Sequence, residues 1–125
     1  IYNTMSAQND VLHNFGETTN IELSVPTGSV TDSTIQSSMS PAFLLIQNVG
    51  TVPVFYRLTK DGDASGSTKC TTATGNYTGI LAACTSDEDG TGGVISFAGY
   101  TAGLSFCTKS GTGKVNVAYS GRMGN

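Results

Sequence analysis

The chain has 125 residues and a net charge of −3, and only 12% of its residues are charged, against about 25% in ordinary soluble domains. Its six Lys and Arg residues are scattered and form no basic run, so nothing tracks a phosphate backbone and nucleic acid is not an expected partner. No apolar run approaches the ~20 residues of a membrane-spanning helix, and the length fits one domain with one core.

Thr, Ser, Gly and Asn crowd the sequence in place of charge. Such a surface is hydroxyl-rich rather than ionic, a composition that recurs in extracellular β-proteins and in virion proteins. The first stretch, 1–19, carries a short apolar island, Val11-Leu12-His13-Asn14-Phe15, inside polar residues and has no steady period. It reads as an N-terminal arm that docks on something, with 20–125 as a single β-sandwich domain. His13 has no Ser or Cys nucleophile motif to serve, so a packed or surface histidine is the reading there.

From Asn20 to Val25 the residues alternate, with Ile21, Leu23 and Val25 on one face and Glu22 and Ser24 on the other, the pattern of a half-buried strand that Pro26 ends. Residues 27–41 are rich in Ser and Thr and predict an extended connection, with a brief helical turn at Ile35 to Met39 as the alternative. Next come two apolar runs, Phe43-Leu44-Leu45-Ile46 and Pro53-Val54-Phe55-Tyr56-Arg57-Leu58, separated by a segment holding Asn48 and Gly50. Both of those residues tolerate left-handed backbone angles, so the stretch predicts a central hairpin. Pro53 fits only the start of the second strand or an edge, because it lacks a backbone N–H. In the first run both faces are apolar, Phe43 and Leu45 on one side and Leu44 and Ile46 on the other. A strand of this kind has to be covered twice, by a second sheet or by a neighbouring subunit.

Residues 59–75 predict a long loop. Asp61-Gly62-Asp63-Ala64-Ser65-Gly66 fits the early positions of an EF-hand, but Thr72 stands where the bidentate Glu belongs, which points to a solvated turn. Ile80, Leu81 and Cys84 sit at helical spacing and predict one short helix over Tyr77 to Cys84. Asp87-Glu88-Asp89 runs into Gly90-Thr91-Gly92-Gly93 and reads as a solvated loop. The last third predicts an antiparallel meander of Val94 to Phe97, Leu104 to Cys107 and Lys114 to Tyr119, with Val115, Val117 and Tyr119 inward. The fold class is therefore all-β, an antiparallel β-sandwich or jelly-roll-like barrel with an extended N-terminal arm and at most one short helix.

Cys70, Cys84 and Cys107 are odd in number and make no disulfide framework. They read as reduced thiols acting as small buried hydrophobes. The alternative is a Cys70 to Cys84 bridge, which would close a short loop and contribute about 3 kcal/mol in the chain-entropy model. A zinc site from these cysteines and His13 fails on spacing. Paired carboxylates placed for glycosidic chemistry are also missing, and no catalytic, cofactor-binding or metal-binding set is expected.

The passage Ile46 to Leu58, then Asn76-Tyr77-Thr78-Gly79-Ile80-Leu81 with Asp89-Gly90-Thr91-Gly92-Gly93-Val94, and Gly99-Tyr100-Thr101-Ala102 with Ser110 to Val117, resembles small accessory virion proteins of tailed bacteriophages, of the capsid decoration, cement or head-fibre type. The resemblance implies a non-catalytic structural protein on the capsid exterior. It would stabilise the shell by bridging subunits of the major capsid protein, often as a homotrimer, without cofactor, nucleic acid or membrane. The partner interface expected on this reading is Tyr2, Val11, Leu12 and Phe15 of the arm with Phe43 and Leu45 of the doubly apolar strand. Two other classes fit the residues. A secreted carbohydrate- or surface-binding β-sandwich would use Tyr77 and Tyr100 in their Gly-rich loops, with the lack of Trp counting against it. A jelly-roll main coat protein would need more basic charge to hold a genome.

Overall fold

The computed structural model describes residues 19–30, 43–59, 69–98 and 103–120. These form seven strands: β1 (Thr19–Val25), β2 (Phe43–Asn48), β3 (Val54–Thr59), β4 (Gly79–Leu81), β5 (Val94–Ala98), β6 (Gly103–Cys107) and β7 (Gly113–Ser120). They make a four-stranded sheet in the order β1-β7-β2-β5 and a three-stranded sheet in the order β4-β3-β6. All pairings are antiparallel, and the described residues contain no helix.

Alternation places the core. Leu44 and Ile46 of β2, Val115 and Val117 of β7 and Val25 of β1 are fully buried, and they meet Val54, Tyr56, Leu81, Leu104 and Phe106 of the other sheet in one apolar cluster. This is the all-β sandwich-like architecture expected from the sequence. Register enforces it: Leu44 lies opposite Phe97 and Tyr119, and Ile46 opposite Ile95 and Val117, so the inward residues of three strands stack on one face. The small sheet is covered on its outer face too, where Phe55, Cys70 and Cys107 form a second cluster with Tyr77 packed against it.

Three expectations are corrected. The central hairpin does not form: β2 and β3 belong to different sheets. With β5 on one side of β2 and β7 on the other, no edge remains for β3. The connecting backbone is taken up elsewhere: Val49 N–H donates to the Lys114 carbonyl at 3.0 Å, while the Val49 and Gly50 carbonyls accept from Glu88 and Cys84 N–H at 2.9 and 2.8 Å. The C-terminal meander is replaced by strands that alternate between sheets, since β5 and β7 flank β2 while β6 pairs with β3. Nor is there a helix at Tyr77 to Cys84. Leu81 is buried opposite Val54 while Ile80 is 50% exposed, which is strand alternation rather than a helical stripe. Thr78 N–H donates to the Tyr56 carbonyl at 2.7 Å. A Cβ at Gly79 would lie 2.8 Å from Tyr56 Cζ, so the bare backbone lets β4 lie close under that ring.

Asn48 fixes the crossing between sheets. It is fully buried, yet its Nδ2 donates to the Val52 carbonyl at 2.9 Å and to the Leu81 carbonyl at 3.1 Å, and its Oδ1 accepts from Gly50 N–H at 2.9 Å. Its own N–H reaches the Gly93 carbonyl at 2.9 Å, and its carbonyl accepts the Cys84 thiol at 3.3 Å. Gly92 packs directly on that carbonyl, leaving no room for a Cβ.

Asn48→Ala strips partners from buried groups and is expected to cost about 3 kcal/mol or more. Gly92→Ala, which drives a methyl into backbone, is expected to cost at least about 2 kcal/mol. Gln47→Ala, on the half-buried outer face, should stay within about 1 kcal/mol of the wild type. Urea unfolding of the three variants checks the order; an Asn48→Ala midpoint equal to that of Gln47→Ala contradicts it.

Candidate docking surface

No group of three or more His, Cys, Asp or Glu side chains is placed to hold a metal ion among the described residues. The acidic run is committed to its own loop. Asp89 Oδ2 accepts from Ser86 N–H at 2.8 Å, while Oδ1 accepts from Thr91 N–H at 2.9 Å and from the Thr91 hydroxyl at 2.6 Å. These bonds, the Thr91 hydroxyl first, hold the Asp89 carboxyl below its ordinary range. Asp87 and Glu88 reach Lys114 Nζ at 2.9 and 3.5 Å, and the Asp87 carboxylate pushes the lysine upward. Glu88 adopts a left-handed φ of 55°, which turns the chain within this loop. The solvated loop expected from the sequence is thus an ordered turn pinned to the start of β7. Glu88 and Glu22 of β1 both line an open hollow of about 220 Å³, together with Gln47, Gly90 and Asn116.

The informative surface is the outer face of the four-stranded sheet. Because Leu44 and Ile46 point inward, Phe43, Leu45 and Gln47 point outward, and all three are half-buried. Leu45 lies opposite Ser96 on one side and Ala118 on the other, and Gln47 opposite Val94 and Asn116. Residues directly opposite share a face, so Phe43, Leu45, Val94 and Ala118 form an apolar strip framed by Ser96, Gln47 and Asn116. Val94 is 56% exposed. Farther across the face the side chains turn polar, with Asn20, Glu22 and Ser24 of β1 exposed opposite Ala118, Asn116 and Lys114. No third sheet forms among the described residues to cover this face, although Glu88 and Gly90 border its Gln47 and Asn116 end across an open hollow.

A concave feature lies beside the small sheet, an open groove of about 580 Å³ between Val52, Pro53, Phe55, Ile80 and Lys109. Phe55 does not offer its ring there as a stacking platform. It is only 8% exposed and meets Tyr77 edge to face, with centroids 4.9 Å apart and planes at 87°. Tyr77, a saccharide-contact candidate, is therefore half-buried packing over the second cluster.

Of the six expected interface residues the structure places Phe43 and Leu45, both on the outer strip. Tyr2, Val11, Leu12 and Phe15 lie outside the described residues, as do His13, Tyr100, the brief turn at Ile35 to Met39 and the Asp61 to Gly66 stretch. Cys70, considered for a bridge to Cys84, sits beside Cys107 instead: the two Sγ atoms are 3.4 Å apart, while Cys84 faces the Asn48 carbonyl. Sequence reasoning missed Val94 as a surface residue. Its signal is the alternation Val94-Ile95-Ser96-Phe97, in which Ile95 and Phe97 claim the inner face and leave Val94 outside.

No protein-family model matches the chain, and no curated protein matches it. Among solved structures the chain is similar to one described as "Bacillus endospore appendages form a novel family of disulfide-linked pili", at 15% identity over 84% of this chain and 86% of that one, with a TM-score of 0.38.

The Asp89 turn gives a pH prediction with a definite sign. A carboxyl whose folded pKa is depressed contributes stability above its unfolded pKa and loses it as pH falls through the folded value. The Ser86 and Thr91 amides should therefore keep their hydrogen bonds at neutral pH and shift together, in NMR spectra, only at a pH below the ordinary aspartate range. Asp89→Asn should remove that transition. A transition at or above the ordinary aspartate pKa contradicts the assignment.

Proposed function

We propose that the protein is a non-catalytic structural protein of a bacteriophage virion that docks on the capsid exterior and stabilises the shell by bridging coat subunits. One observation carries the docking: the apolar strip Phe43, Leu45, Val94 and Ala118 lies on the outer face of β2 and its neighbours, and no third sheet among the described residues packs over it. A strip bounded by polar side chains, with Ser96, Gln47 and Asn116 around it, has the composition of an interface: an apolar centre within a polar rim. The choice of a capsid as the surface rests on the resemblance of the Ile46 to Val117 passages to phage accessory proteins. The Asp87, Glu88 and Asp89 carboxylates and the Lys114 amine are engaged in loop structure, which agrees with a binding role for this part of the molecule.

The proposed assembly is a homotrimer on the major capsid protein. Three linked copies engage neighbouring coat subunits at once, so contacts that are weak singly become tight together. The arm residues Tyr2, Val11, Leu12 and Phe15 are proposed to add contacts to the same partner.

Light scattering of the purified chain is expected to give three times the 12.9 kDa chain mass, and the trimer should co-sediment with phage heads. Leu45→Glu, at a half-buried position on the strip, should change stability by less than about 1.5 kcal/mol and lower head binding at least tenfold. A monomer that ignores heads contradicts the proposal. So does a mass that climbs without limit with concentration, which would mark a self-assembling fibre subunit instead.

A further inference from the structure

Outside the strip, the least ordinary chemistry in the molecule is a pair of buried thiols. Cys70 is 0% exposed and Cys107 is 2% exposed, and the Cys107 thiol points at the Cys70 sulfur across 3.4 Å. Their placement is not accidental to the loop that holds Cys70. Cys70 N–H donates to the buried Ser105 hydroxyl at 2.8 Å, and its carbonyl accepts from the Ser29 hydroxyl. Cys107 lies opposite Phe55 in the β3–β6 ladder, and Phe55 completes the cluster over both sulfurs. Backbone and side-chain bonds thus aim one sulfur at the other from two separate elements.

We propose that Cys70 and Cys107 are a disulfide-forming pair, closing on each other when the chain folds in the presence of a small-molecule disulfide oxidant, with Cys84 left as a free thiol. A disulfide brings its sulfurs to about 2.05 Å, so the pair has to close by only about 1.4 Å from where the reduced fold already holds it. In the reaction one cysteine thiolate attacks oxidised glutathione and releases one glutathione thiolate. The second cysteine thiolate then attacks the protein sulfur of that mixed disulfide and releases the other. Two S–H bonds and the oxidant's S–S bond are lost, one protein S–S bond forms, and two electrons reduce the oxidant to two thiols.

Closure joins residues 37 positions apart, a long loop whose restriction stabilises the fold through the unfolded chain. It also fastens the stretch from Lys69 to Tyr77 covalently onto the outer face of the small sheet, adding to the packing of the second cluster and to the hydrogen bonds from Arg57 to the Lys69 carbonyl and from Cys70 N–H to Ser105. Timing follows from burial. The surroundings push the Cys70 thiol upward, desolvation first and its Cys107 neighbour next, so the folded Cys70 supplies little thiolate, and both sulfurs are buried away from a dissolved oxidant. The bond is therefore made during folding and, once made, is shielded from reductants.

The test uses the whole chain and Cys84→Ser, each unfolded under reducing conditions and refolded with reduced and oxidised glutathione. Free thiols are then alkylated in denaturant and the peptides mapped. The expected result for both proteins is a Cys70–Cys107 cross-linked peptide, with Cys84 alkylated in the wild type and a melting temperature about 10 °C above the fully reduced form. Folded reduced protein given the same oxidant should close at least tenfold more slowly. Three alkylated cysteines after oxidative refolding, a bridge that includes Cys84, or no rise in melting temperature would overturn the proposal.

Discussion

The buried amide of Asn48 is the constraint on which the rest of the molecule depends. A sandwich-like fold must pass the chain from one sheet to the other without leaving the backbone of the crossing unsatisfied in the interior. Here main-chain groups of Lys114, Glu88 and Cys84 pair with Val49 and Gly50, while the Asn48 side chain donates to the Val52 and Leu81 carbonyls and accepts from Gly50 N–H. Through Leu81 it also fixes the end of β4, and through its main chain it holds Gly93 at the entry to β5. No buried side-chain nitrogen or oxygen lacks a partner among the described residues. The amide thus joins the two sheets at one point, and the Gly92 backbone packs where no side chain fits.

That junction explains why β2 is central. Held at its C-terminal end by Asn48 and flanked by β5 and β7, β2 has its inner residues in the common core and its outer residues on a surface. The inner face is satisfied by the second sheet. The outer face keeps Phe43 and Leu45 half-buried beside an exposed Val94. The proposed attachment surface is this apolar strip, which runs from β2 onto the edge strand β5 and gives way to polar side chains at β1; the choice of a capsid as its partner rests on the sequence resemblance. The small sheet follows a different plan, with its outer face closed internally by Phe55, Tyr77 and the cysteine pair.

Much of this was legible in the sequence, and the parts that were not share a physical cause. Alternation read β1 and β7 correctly, including the inward Val115, Val117 and Tyr119, because period-2 burial is written into each strand on its own. The doubly apolar character of β2 was legible for the same reason. Pairing was not: the Asn48 and Gly50 turn chemistry is common to a hairpin and to a crossing between sheets, and the choice between them is made by β5 and β7, far away in the chain. Ile80-Leu81 was read as helix because two adjacent apolar residues and a cysteine fit a helical stripe, whereas tertiary pairing with Val54 and Phe55 made them strand. The Cys70 and Cys107 pairing was hidden because it is set by the β3–β6 ladder and not by spacing. The outward placement of Phe43 and Leu45 is legible in their own alternation, and Val94 joins their face only once β5 is known to lie beside β2.

Covalent footprinting of surface side chains, on the chain alone and on the chain bound to phage heads, tests the central claim most directly. The account predicts that Phe43, Leu45 and Val94 lose labelling on binding while Ile80 and Lys109, on the small sheet, keep theirs. Unchanged labelling of the Phe43–Leu45 strip, with protection at Ile80 and Lys109, would contradict it and move the docking surface to the opposite sheet.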